Sequence, residues 1–104
     1  VTYSYGPEKA ETRAELLDQH RGWLRRFDEE GRILGAGVFA DKSGALLVLS
    51  AASLEEMEDE LAKDPFAEAG AIHGTVVTEW TPNWGAFSQG LVPEGNGQSP
   101  CGPG

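Results

Sequence analysis

The chain opens on a short β-prone run, VTYSY, closed by the turn pair Gly6-Pro7. From Thr12 the apolar spacing becomes helical. Leu16, His20, Trp23, Leu24 and Phe27 share one face, and Asp18, Arg21, Arg25, Asp28 and Glu29 take the other. Thr12 and Glu15 have the spacing of a capping box, and Gly31 is a natural C-terminal stop. Gly22 inside this helix costs about 1 kcal/mol relative to alanine unless close packing needs it.

GRILGAGVFA and GALLVLSA then read as two strands joined by DKSG. The second contains ALLVL, an apolar run with no alternation, which suggests a strand covered on both faces. Ser53 and Glu56 form a second capping-box pattern, followed by Leu54, Met57 and Leu61 as the buried stripe of a shorter helix. The segment LAKDPFAEAG ends that helix, places Asp64 before Pro65, and resumes helical character. AIHGTVVTEW reads as the last strand, with Ile72, Val76 and Trp80 on one parity and His73, Val77 and Glu79 on the other. From Thr81 the composition shifts to Gly, Pro, Ser and Asn, leaving Trp84, Phe87, Leu91 and Val92 as anchors.

The order β-α-β-β-α-β is the split βαβ arrangement of ferredoxin-like α+β folds. It predicts a four-stranded antiparallel sheet with two helices on one face. The helices cannot reach the opposite face, so the run ALLVL predicts a second copy of the sheet packed there. Leu47 or Leu49 is expected to face that copy. A homodimer also suits a chain of 104 residues, which is one domain and buries a modest core.

Charge narrows the partners. A formal charge of −9 repels phosphate backbones and anionic membranes, so neither nucleic acid nor a membrane is expected as a partner. No apolar run approaches the ~18 residues of a membrane span. The N-terminal stretch lacks the basic start and apolar core of a signal peptide. The single cysteine, Cys101, excludes an internal disulfide and fits a reduced, cytoplasmic setting.

Asp64 is a natural N-cap, with Pro65 in the first helical position and a backbone N–H two or three residues on. A carboxylate has about four acceptor sites, and a cap uses one or two. The remainder can orient a histidine, which a glycine stop cannot do. His20, between Leu16 and Leu24 on the apolar face, reads either as a satisfied core histidine or as the acid/base partner of that carboxylate. His73 reads as a structural histidine or a lining residue of the sheet. Gly35 and Gly37 lack the third glycine and following helix of a dinucleotide site, and either open a cavity wall or permit close packing. Trp80 stands where the mouth of a cavity would lie. Two histidines without close ligand spacing are a poor metal signal.

Taken in order, the helix histidine of DQHRGWLRRFDEEGRILGAG, then SLEE, then KDPF, and a strand ending in Trp80 resemble the YCII-related (YciI-like) family of the dimeric α+β barrel superfamily. The resemblance covers residues 1–82 as one domain and leaves 83–104 as a Gly/Pro-rich tail. Val38 stands where many relatives carry proline. The resemblance implies a ferredoxin-like dimer with a His–Asp dyad in a cavity, here His20 and Asp64. Gly35, Gly37, His73 and Trp80 are, from their own positions in the chain, the candidate substrate-binding residues around it. Known activities of such proteins include dehydrochlorination of a chlorinated hydroxyquinol, and related barrels include isomerases and monooxygenases. The leading expectation is a lyase or isomerase acting on a small cyclic or aromatic metabolite without metal or organic cofactor. The alternative is a non-catalytic dimeric module that binds a small molecule or a protein. A closed, dry environment around His20 favours the alternative.

Overall fold

The computed structural model describes residues 1–89. Four strands, β1 (Thr2–Ser4), β2 (Ile33–Val38), β3 (Gly44–Leu49) and β4 (Gly74–Val76), form one sheet in the order β2-β3-β1-β4, and every neighbouring pair is antiparallel. Helix α1 (Ala10–Glu29) connects β1 to β2. Helix α2 (Leu54–Leu61) and the single turn α3 (Pro65–Glu68) connect β3 to β4, and a short α4 (Ala86–Gln89) follows. This is the ferredoxin-like α+β arrangement.

The core lies between the sheet and helices α1 and α2. Tyr3, Ala45 and Leu47 from the sheet meet Trp23 and Phe27 from α1 and Met57 and Leu61 from α2, all buried. Leu49 packs against the same cluster. Both Leu47 and Leu49 therefore face the helices, and Leu46 and Val48 take the outer parity. An unbroken apolar strand carries no alternation from which its inward parity can be read. Leu46 is 46 % exposed on that outer face.

Helix α1 begins earlier than its capping-box pattern suggests. A 3₁₀ turn at Pro7–Lys9 leads directly into it, Lys9 occupies the cap position without a side-chain bond, and Thr12 already lies inside the helix. Proline at the start of the turn has no N–H to satisfy, so no hydroxyl cap is needed there. The other end is as expected. Gly31 has φ +71, its N–H donates to the Asp28 carbonyl, and the Arg32 N–H donates to the Phe27 carbonyl, a Schellman closure. Around Gly22, a Cβ would meet nothing within 4 Å, so close packing does not account for that glycine. Gly44 is different: a Cβ there would run into the Tyr3 carbonyl oxygen across the β1–β3 pair.

Arg32 ties the elements together. Its guanidinium lies over the Phe27 ring, donates to the Ser50 carbonyl, and pairs with Glu30 and Glu56. Ser53 caps α2 by accepting the Glu56 N–H at 3.0 Å, as its spacing indicates. The Glu56 carboxylate turns instead to Arg32.

The last strand is much shorter than AIHGTVVTEW. Its partner among the described residues is β1, which spans three residues, so the ladder ends at Val76. Ile72 and Val77 both pack against the core, which breaks the alternation on either side of the strand.

Candidate active site

Helix α2 ends in a turn in which the Asp64 N–H donates to the Leu61 carbonyl. Asp64 then adopts an extended backbone, φ −61 and ψ 126, as the residue before proline must. Its side chain turns inward and is fully buried, with 0 % exposure. The Phe66 N–H donates to Oδ1 at 3.0 Å, which is the expected cap. The Tyr3 hydroxyl donates to Oδ2 at 2.8 Å. His20 Nδ1 lies 2.8 Å from Oδ1. The capping and orienting roles therefore coexist in one carboxylate.

Helix α1 supplies His20 from its inward face. The imidazole lies parallel to the Phe66 ring, 4.0 Å between centroids and 1° between planes, with Trp23 on a second side at 6.0 Å. Phe66 thus fixes the plane of the ring and Asp64 its rotation. A carboxylate that only accepts requires the hydrogen on Nδ1, which leaves the Nε2 lone pair available. Among the described residues no protein group takes Nε2, and it is not one of the buried unpaired atoms. The side chain keeps 10 % of its surface exposed. An imidazole held at Nδ1 by a carboxylate, with Nε2 unpaired, is an arrangement that suits proton transfer.

Tyr3 sets a pH dependence. Burial, reinforced by the Asp64 charge and hydrogen bond, pushes its phenol far above the ordinary 10.0. From about pH 10 upward the unfolded chain loses this proton while the folded chain keeps it. The stability attached to Tyr3 is whole below that pH and falls as pH rises beyond it. Unfolding in denaturant at about pH 8 and about pH 11 is expected to show a larger alkaline loss in the wild type than in Tyr3→Phe. Equal losses would contradict the assignment.

The other sequence candidates do not join the dyad. His73 is exposed at the start of β4, where its N–H donates to the Ser4 carbonyl, and it borders a shallow hollow with Gly6, Glu8 and Gly70. Gly35, Gly37 and Trp80 belong to the far side of the sheet. A groove of about 890 Å³ is lined from that face by Leu46, Val48, Val76, Trp80 and Phe87 and from the helix side by Leu47, Leu49 and Met57. A Cβ at Gly35 would sit 3.5 Å from the Phe87 ring, while one at Gly37 would meet nothing. Trp80 is 56 % exposed and meets Phe87 edge-to-face at 6.1 Å. Neither His20 nor Asp64 lines this groove. Phe87 is thus docked and Trp84 is about half exposed, while Leu91, Val92 and Cys101 lie outside the described residues.

Tyr3 and Phe66 are the site residues that sequence reading missed. Alternation in VTYSY places Tyr3 on one face of its strand, but its partner lies 61 positions away. Phe66 was visible only as part of the KDPF motif. Among the described residues no group of three or more His, Cys, Asp and Glu side chains is placed to hold a metal. No helix among them is long and apolar enough to cross a membrane.

A family model described as YCII-related domain matches residues 1–81. No curated protein matches. Among solved structures the chain is similar to 5-chloro-2-hydroxyhydroquinone dehydrochlorinase from Burkholderia phenoliruptrix AC1100, determined in complex with 2,5-dihydroxybenzoquinone. The TM-score is 0.68 at 24 % identity, over 77 % of this chain and 89 % of that one. At that identity the likeness is one of fold.

Proposed function

The chain belongs to the YCII-related domain family, and from that premise we propose that it is a lyase or isomerase acting on a small cyclic or aromatic metabolite without metal or organic cofactor. His20 is the acid/base residue. Its Nε2 takes a proton from a substrate hydroxyl or ring carbon and returns one to the atom where charge accumulates. In an elimination the returned proton accompanies the leaving group. Asp64 holds Nδ1 and stabilises the imidazolium between the two transfers. The single observation carrying this reading is a fully buried carboxylate aimed at Nδ1 while Nε2 has no protein partner among the described residues.

The protomer works as a homodimer, with the outer sheet face covered by a second copy, in a cytoplasmic setting that suits a single-cysteine chain. A second reading, a non-catalytic dimeric module that binds a small molecule or a protein, draws support from the outer groove. That groove is lined mainly by apolar side chains and contains neither member of the dyad.

Hydroxylated ring compounds, beginning with 5-chloro-2-hydroxyhydroquinone, test the enzymatic reading. Chloride release from that compound, or consumption of another ring in the set, is expected above the spontaneous rate. The excess should vanish in His20→Gln. A rate above background that survives His20→Gln contradicts the assignment, as does the lack of any such rate across the set.

A further inference from the structure

We propose that Tyr3 is a positioning residue for the His20–Asp64 pair, locking the carboxylate through Oδ2 so that Oδ1 stays on Nδ1. The inference rests on the catalytic reading of His20 for its consequence, but its geometry stands independently.

The carboxylate has two oxygens with different duties. Oδ1 accepts from the Phe66 N–H at 3.0 Å and faces His20 Nδ1 at 2.8 Å. Those two contacts alone leave the group free to pivot about Oδ1. The Tyr3 hydroxyl at 2.8 Å from Oδ2 removes that freedom. Tyr3 is itself immobilised. It is 1 % exposed and belongs to the core cluster with Trp23, Phe27 and Leu47. Its backbone is held between β3 and β4 through Ala45 and Thr75. The sheet, α1 and the turn into α3 are thus joined at one carboxylate, each contributing a separate hydrogen-bonding group.

The alternative role, a proton relay through the phenol, conflicts with the surroundings. Tyr3 is buried, sits beside a carboxylate, and has its acidity suppressed by both. Its hydrogen stays on the phenolic oxygen, and no proton passes through it. Donation to Oδ2 also withdraws charge from the carboxylate, so that the hydrogen between Oδ1 and Nδ1 remains on nitrogen. A phenylalanine at position 3 keeps the ring in the core and deletes only this control.

The test is nitrogen-15 spectroscopy of the His20 ring in wild type and Tyr3→Phe, beside turnover of any compound found to be consumed. The wild type should show one neutral tautomer with hydrogen on Nδ1. Tyr3→Phe should populate the second tautomer, and kcat should fall about tenfold with KM unchanged, the factor that one hydrogen bond to a charged group supplies. A role confined to stability would lower the melting temperature and leave the ring nitrogens unchanged, and that result overturns the proposal. If no compound is turned over, the enzymatic reading fails alone, because the ring nitrogens still decide the role of Tyr3. Should Tyr3→Phe not fold, the wild-type hydroxyl proton decides. A separate resonance protected from exchange supports the lock, and a freely exchanging one overturns it.

Discussion

Asp64→Ala is expected to destabilise the fold by at least about 3 kcal/mol, the lower sum for three buried donors left unpaired. The substitution leaves three donors without their acceptor: the Phe66 N–H, the Tyr3 hydroxyl and His20 Nδ1–H. Each unsatisfied buried group costs about 1–3 kcal/mol. A helix cap alone is worth about 1 kcal/mol, so the magnitude separates the two roles. For a domain this small each kcal/mol moves Tm by roughly 4–8 °C, which makes the expected drop more than about 12 °C. Asp64→Asn should lose far less, because an amide oxygen still accepts and its NH₂ can donate to the Tyr3 oxygen. A loss for Asp64→Ala no larger than a cap would remove the energetic case for a three-way site.

Leu46→Arg is expected to convert the proposed homodimer to a monomer. Gly37, Leu46, Thr2 and Val76 stand directly opposite one another in a row across all four strands. Within that row Leu46 is 46 % and Val76 61 % exposed in the protomer. Apolar side chains left exposed on the sheet face away from α1 and α2 favour a partner surface. A guanidinium at the centre would be desolvated without a counter-charge, at a cost of several kcal/mol. Light scattering at micromolar concentration should give twice the 11.1 kDa chain mass for the wild type and the single mass for the variant. A wild-type monomer at that concentration contradicts the dimer.

Local signals in the sequence were legible where a residue's role depends on near neighbours. Ser53 and Asp64 cap the segments their spacing indicated, and Gly31 closes α1. His20, Trp23 and Phe27 are buried together, as a helical face requires. The His20–Asp64 approach spans 44 positions, and only the family resemblance joined them beforehand. Where the outcome depends on distant parts of the chain, the sequence was silent. The short β4 follows from the length of β1. The parity of ALLVL follows from where the helices land. Tyr3 is one of two tyrosines in VTYSY, and only the closed fold brings it to Asp64. The large outer groove depends on residues beyond the last strand folding back over the sheet, with Phe87 against Gly35.

The central claim is that His20 is a reachable acid/base group and not a sealed core histidine. Diethylpyrocarbonate acylates unprotonated imidazole nitrogen, and the exposed His73 provides an internal reference in the same chain. Peptide-resolved mass spectrometry of the folded protein should show His20 acylated at a rate comparable with His73 or faster. Complete acylation of His73 with His20 untouched in the folded wild type would mean that Nε2 is closed to reagents and substrates alike, and the catalytic assignment would fall.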